Sequence, residues 1–221
     1  MSFYDELLAA TEAERNDLLS IPYIQMGAAG KLGLESYTAF LAQAYHHVKH
    51  TTPLLMATGS HLPEKLEWLR EAVGEYIEEE MGHQEWVLND IEACGGDKEA
   101  VRAATPLPAT ELMVSYAYDT VYRKNPVGFF GMVLVLEGTS VALATNAAAN
   151  IEKSLALPKE AFSYLNSHGS LDVGHVDFYE KLMNQLEDET DKQAVIHCAR
   201  MVYKLYGAIF RSLPLIELES N

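Results

Sequence analysis

The sequence predicts an all-α fold, a single-domain helical bundle of about seven helices. Apolar residues recur at helical spacing along almost the whole chain, and no run of β-branched residues alternating with polar ones is sustained anywhere. The 221 residues, 48% of them hydrophobic, are about what one hydrophobic core can organise. No repeat, linker or low-complexity stretch divides the chain, so residues 1–221 read as one domain.

Ser2 suits the cap of a first helix running to about Leu19. Ile21 to Gly33, with Pro22 and three glycines, reads as a connecting loop. A second helix is expected from about Glu35 to Thr58. Pro63 suits the first turn of a third, bent near Gly74 and stopped by Gly95-Gly96. Pro106 and Pro108 precede a helix from about Ala109 to Arg123, and Asn125-Pro126 opens a long apolar one. Pro158 opens a sixth helix from near Lys159 to Leu186, and Thr190 or Asp191 starts a seventh that ends before Pro214.

Charge and composition narrow the function. The chain carries 32 acidic and 16 basic residues, a formal net charge of -16, which repels a phosphate backbone and leaves no basic stripe for nucleic acid. Two cysteines without a CxxC pair, and no basic-then-apolar leader, favour a reducing cytoplasm. The apolar run from Val127 to Ile151 has the length of a membrane span, but it contains Glu137, Asn146 and Asn150 and reads as a buried central helix, so no membrane is expected.

The sharpest chemical signal is SHGSLDVGH, in which His168, Asp172 and His175 form H-x3-D-x2-H. At about 100° per residue these three side chains share one face of the sixth helix, the arrangement of half a metal site. The competing reading is a polar outer face, since Ser167, Ser170 and Asp177 lie nearby. In EEEMGHQEW, Glu80 and His83 form an E-x2-H pair, with Glu78 and Glu79 as competitors; standing alone, this is an acidic solvated face with one histidine.

Glu137 is the one charged side chain between Pro126 and Ile151. A bare carboxylate buried there costs several kcal/mol or takes up a proton, unless a cation or hydrogen-bond donors compensate it. A metal would do so; so would Arg200 or Lys204 of the last helix. In QAYHHVKH, His46, His47 and His50 are spaced so that at least one points inward; the spacing does not decide which, and His47 enters the ligand set with the choice among the three open. Together these residues supply oxygen and imidazole ligands suited to iron or manganese rather than to a cysteine-rich structural zinc site.

These residues resemble the haem-oxygenase-like superfamily, which includes thiaminase II (TenA) proteins, pyrroloquinoline quinone synthase and the haem-oxygenase-like di-iron oxidases. The likeness runs from IPYIQMGAAGKLGLESYTAFLAQAYHHVKHTTPLL to the last helix. The di-iron oxidase branch is set apart by H-x3-D-x2-H, which His168, Asp172 and His175 match; Glu137 matches the carboxylate of its long central helix, and His83 with Glu80 its ligand helix. Two departures stand out: several members supply a further glutamate from the second helix, where this chain has histidines, and others place the upstream carboxylate at the position of Tyr76.

The resemblance implies an O2-dependent oxidase or oxygenase with one or two non-haem iron ions. The metal would be held by Glu80, His83, Glu137, His168, Asp172 and His175, with His47 at the second-helix level, and would act on a small organic substrate inside the bundle. It also implies a homodimer. Two rivals remain: a metal-free enzyme like TenA or quinone synthase, and a non-catalytic protein that binds a small molecule. Neither Cys94 nor Cys198 sits in the thiaminase motif.

Overall fold

The computed structural model describes residues 1–218, including every side chain among them except those of 168–175. The chain is all-α, with no strand among the described residues beyond one isolated bridge between Leu32 and Glu217. In place of about seven helices there are twelve α-helices among the described residues, because three of the expected segments are split and two short helices form in stretches expected to be connections. They are α1 (Phe3–Ala10), α2 (Glu12–Leu19), α3 (Pro22–Ala28), α4 (Leu34–Val48), α5 (Thr51–His61), α6 (Glu67–Glu80), α7 (His83–Ala93), α8 (Lys98–Ala103), α9 (Pro108–Arg123), α10 (Phe130–Leu155), α11 (Ser163–Asn184) and α12 (Glu189–Ser212).

The interruptions have local causes. Ser2 and Asp5 form a reciprocal capping box on α1, which stops at Thr11, whose hydroxyl donates to the Leu7 carbonyl at 2.8 Å. Pro22 was expected in a loop but occupies the first turn of α3, where its missing N–H costs nothing. Pro53 ends α4: its ring excludes the carbonyl four residues back, at Lys49, so the chain breaks there and restarts as α5. Helix α6 runs unbroken through Gly74, where a bend was expected, and the break falls at Met81-Gly82, where Gly82 has φ 95°.

The apolar residues form two clusters. One gathers α5, α6, α9, the first half of α10 and α12; the other gathers α4, α7, the second half of α10 and the start of α11. On α12, Val195, Cys198, Ala199, Val202, Tyr206 and Ile209 return at three- and four-residue intervals to one buried face. Gly131 lets α10 touch that face, since a Cβ there would collide with the backbone of Val195 and Ala199. Helix α10 is long and apolar enough to cross a membrane by composition; here it packs between α3, α11 and α12.

Candidate metal centre

Between the two clusters lies a cavity of about 160 Å³, lined by residues of both. Packed interiors rarely leave such a space, so it is a feature the fold maintains against the tendency to close. Its polar lining includes Glu80 from α6, Glu137 from α10 and His47 from α4, together with Tyr76, Thr139 and Ser140. Most of the remaining wall is apolar, including Leu54, Met132, Leu136 and Phe210. The cavity lining includes no lysine or arginine, and neither does segment 168–175.

The break at Met81-Gly82 shapes one corner of this site. Helix α6 ends at Glu80 and α7 begins at His83, yet Oε2 of Glu80 lies 3.1 Å from Nδ1 of His83. Both side chains are buried, and the His83 ring stacks on Trp86 at 3.9 Å between centroids. Glu78 and Glu79 are exposed, so of the three adjacent glutamates Glu80 is the one inside.

Glu137 is not held by either cation proposed for it from the sequence. The Arg200 guanidinium donates to the Ala10 carbonyl at 2.8 and 2.9 Å, and Lys204 reaches toward Glu14 at 3.9 Å, both at the surface beside α1 and α2. Among the three histidines, His47 lines the cavity and packs edge-on to Tyr206. His46 turns away, 3.3 Å from Lys49 Nζ, and burial together with that cation pushes its pKa down to about 4. His50 meets the Tyr118 hydroxyl at 3.2 Å.

Helix α11, which carries His168, Asp172 and His175, packs against both α10 and α7. The side chains of these three residues lie outside the described ones, and among the described residues no group of three or more histidines, cysteines or carboxylates is close enough to hold a metal. What anchors α11 is a residue that sequence reasoning missed. Asp90 of α7 is fully buried and accepts from the Ser163 and Tyr164 amides at 3.1 and 2.9 Å, and also from the Ser163 hydroxyl. It caps the N-terminus of a helix more than seventy residues away in sequence, a relationship that leaves no local pattern.

The cysteines stand apart from the cavity lining. Burial, with Asp90 nearby, raises the Cys94 thiol to about 11, and burial raises Cys198 to about 12. Neither is poised as a thiolate nucleophile at neutral pH.

This arrangement is the haem-oxygenase-like fold. A domain of unknown function from Shewanella denitrificans with that fold superposes with a TM-score of 0.83 at 24% identity, covering 94% of this chain and 90% of the other. A TenA homologue from Pseudomonas syringae gives 0.81 at 11% identity, covering 95% and 91%. Haem oxygenase from Leptospira interrogans gives 0.77 at 18%, covering 96% and 100%. No curated protein matches the chain by sequence. The family described as iron-containing redox enzyme matches residues 38–207, and the chain belongs to that family.

Proposed function

We propose that the protein is an O2-dependent oxidase or oxygenase that uses one or two non-haem iron ions on a small organic molecule bound in the central cavity. The observation that carries the reading is the placement of Glu80, His47 and Glu137, from three helices, around one cavity whose lining includes no lysine or arginine, with His83 touching Glu80. Glu80 is buried and Glu137 half-buried, and mixed carboxylate and imidazole donors of this kind suit ferrous iron. Glu80, His83 and Glu137 would hold the metal together with His168, Asp172 and His175, while His47 stands on the helix from which several members of the di-iron oxidase branch supply a further glutamate. Ferrous iron so bound supplies O2 activation and, through it, oxidation of a neighbouring C–H, C–C or C–N bond.

The chain's own part is to bind, orient and keep water out. The hydroxyls of Tyr23 and Tyr37 donate to the carbonyls of Ser36 and Ala161, which leaves their rings as apolar wall. The substrate's non-reacting portion is therefore uncharged and apolar. The same lining disfavours haem, whose propionates need cationic partners. Neither cysteine lines the cavity, which disfavours a cysteine-based, metal-free reaction like that of TenA.

We further propose a cytoplasmic homodimer; light scattering at micromolar concentration should give twice the mass of the chain, and the mass of one chain would remove the dimer. The test of function is elemental analysis of protein produced with iron supplied, followed by optical spectra before and after O2 is admitted anaerobically. Bound iron with an O2-dependent absorbance change supports the reading. Metal-free protein that turns over substrate favours the TenA-like alternative, and retention of a small molecule without turnover favours a binding protein.

A further inference from the structure

A second pocket of about 230 Å³ lies on the opposite side of α10 from the central cavity, and Thr139 lines both. Five helices meet there: among the described residues, α1 brings Tyr4 and Leu8, α2 Arg15 and Leu19, α10 five residues between Leu134 and Ala142, α11 Val176 and α12 Tyr203. Its chemistry is the reverse of the central cavity's, because it contains a guanidinium. Arg15 donates to the Leu8 carbonyl at 3.4 Å and acts electrostatically on the hydroxyls of both Tyr203 and Tyr4. In a chain with twice as many acids as bases, no carboxylate among the described residues forms an ion pair with it.

We propose that this pocket binds an amphipathic monocarboxylate, with the carboxylate on the Arg15 guanidinium and the Tyr203 hydroxyl and a short alkyl chain along Leu8, Leu19, Leu134 and Val141. The guanidinium fork matches a carboxylate in two parallel hydrogen bonds, and phenol hydroxyls can donate to the same oxygens. One cation balances one negative charge. Asp177 and Glu180 act electrostatically on Tyr4, which lines the pocket, and the net charge is -16, so a phosphate dianion is disfavoured. The space is below the roughly 300–1,000 Å³ of sites for drug-sized ligands, so the ligand is small. Gly138 forms part of the floor: a Cβ there meets nothing within 4 Å, and the room it leaves is open for the ligand's chain.

The test uses octanoate and octan-1-ol as probes, with calorimetry on the full-length protein as purified. Saturable octanoate binding is expected, at least tenfold tighter than octan-1-ol. Arg15→Gln should weaken it at least tenfold by removing the cation, and Gly138→Leu equally by filling the floor. The second substitution also improves helix propensity, and circular dichroism melts confirm that both variants fold. Ala147→Leu, which narrows the central cavity instead, should leave the affinity unchanged. Binding that survives both Arg15→Gln and Gly138→Leu, binding that is lost in Ala147→Leu, or no saturation at millimolar octanoate would each overturn the proposal. Because the readout is binding rather than turnover, the result does not depend on whether the central cavity holds iron.

Discussion

Glu80 Oε2 and His83 Nδ1 lie 3.1 Å apart although they belong to different helices, joined only by Met81 and by Gly82 in a left-handed conformation. The contact depends on that conformation, since φ 95° at Gly82 turns the chain so that the last side chain of α6 meets the first of α7. Gly82→Ala meets no neighbour within 4 Å, so its cost is backbone strain alone. It should destabilise by about 1–2 kcal/mol in urea unfolding and weaken Fe(II) binding by more than that loss of stability explains. Unchanged metal affinity would show that the corner is dispensable.

The two readings of Glu137 differ in sign. If it were paired with Arg200 or Lys204, Glu137→Gln would strand a buried cation and cost roughly 3–5 kcal/mol. Those side chains are engaged at the surface with Ala10 and Glu14, so the neutral isostere should strand neither of them and should lose much less than that in the chelated state, while iron uptake falls. Urea unfolding after chelation, repeated with Fe(II) under argon, separates the outcomes.

Asp90 holds the start of α11 by two amides and a hydroxyl. Asp90→Ala leaves these donors buried without an acceptor and should cost about 2–4 kcal/mol. Because α11 carries His168, Asp172 and His175, Fe(II) affinity should fall as well, although Asp90 itself does not line the cavity. A destabilised variant with wild-type iron affinity would mean that α11 is positioned by its packing against α10 and α7 alone.

The reactivity of the thiols tests the rival cysteine chemistry. With pKa values raised to about 11 and about 12, Cys94 and Cys198 are thiolate at pH 8 to roughly one part in a thousand and one in ten thousand. Native protein should react slowly with a disulfide reagent at pH 8, faster by about tenfold per pH unit, and release two equivalents at once when denatured. A fast equivalent from native protein would reopen a nucleophilic cysteine.

Several features were legible in the sequence because they follow from periodicity. The all-α fold, the apolar α10 and the inward Glu137 are read from spacing and from one charge in an uncharged run. The breaks were harder to see. Pro53 carries a local signal that it ends α4, whereas Gly74 and Gly82 look alike in sequence and only tertiary packing selects Gly82. The choice among His46, His47 and His50 likewise depends on how α4 is rotated against α12, where Tyr206 meets His47. Asp90 and the Arg15 pocket join residues distant in sequence, and no short-range pattern records them.

The central claim is that helices α6, α7, α10 and α11 converge on iron. Anaerobic Fe(II) titration of chelated wild-type protein beside Glu137→Ala and His168→Ala tests it most directly. One side chain comes from the cavity wall and the other from α11. The account predicts saturable Fe(II) binding and a rise in melting temperature for the wild type, with affinity reduced at least tenfold in each variant. Wild-type stability unmoved by Fe(II), or equal affinity in all three proteins, would contradict it.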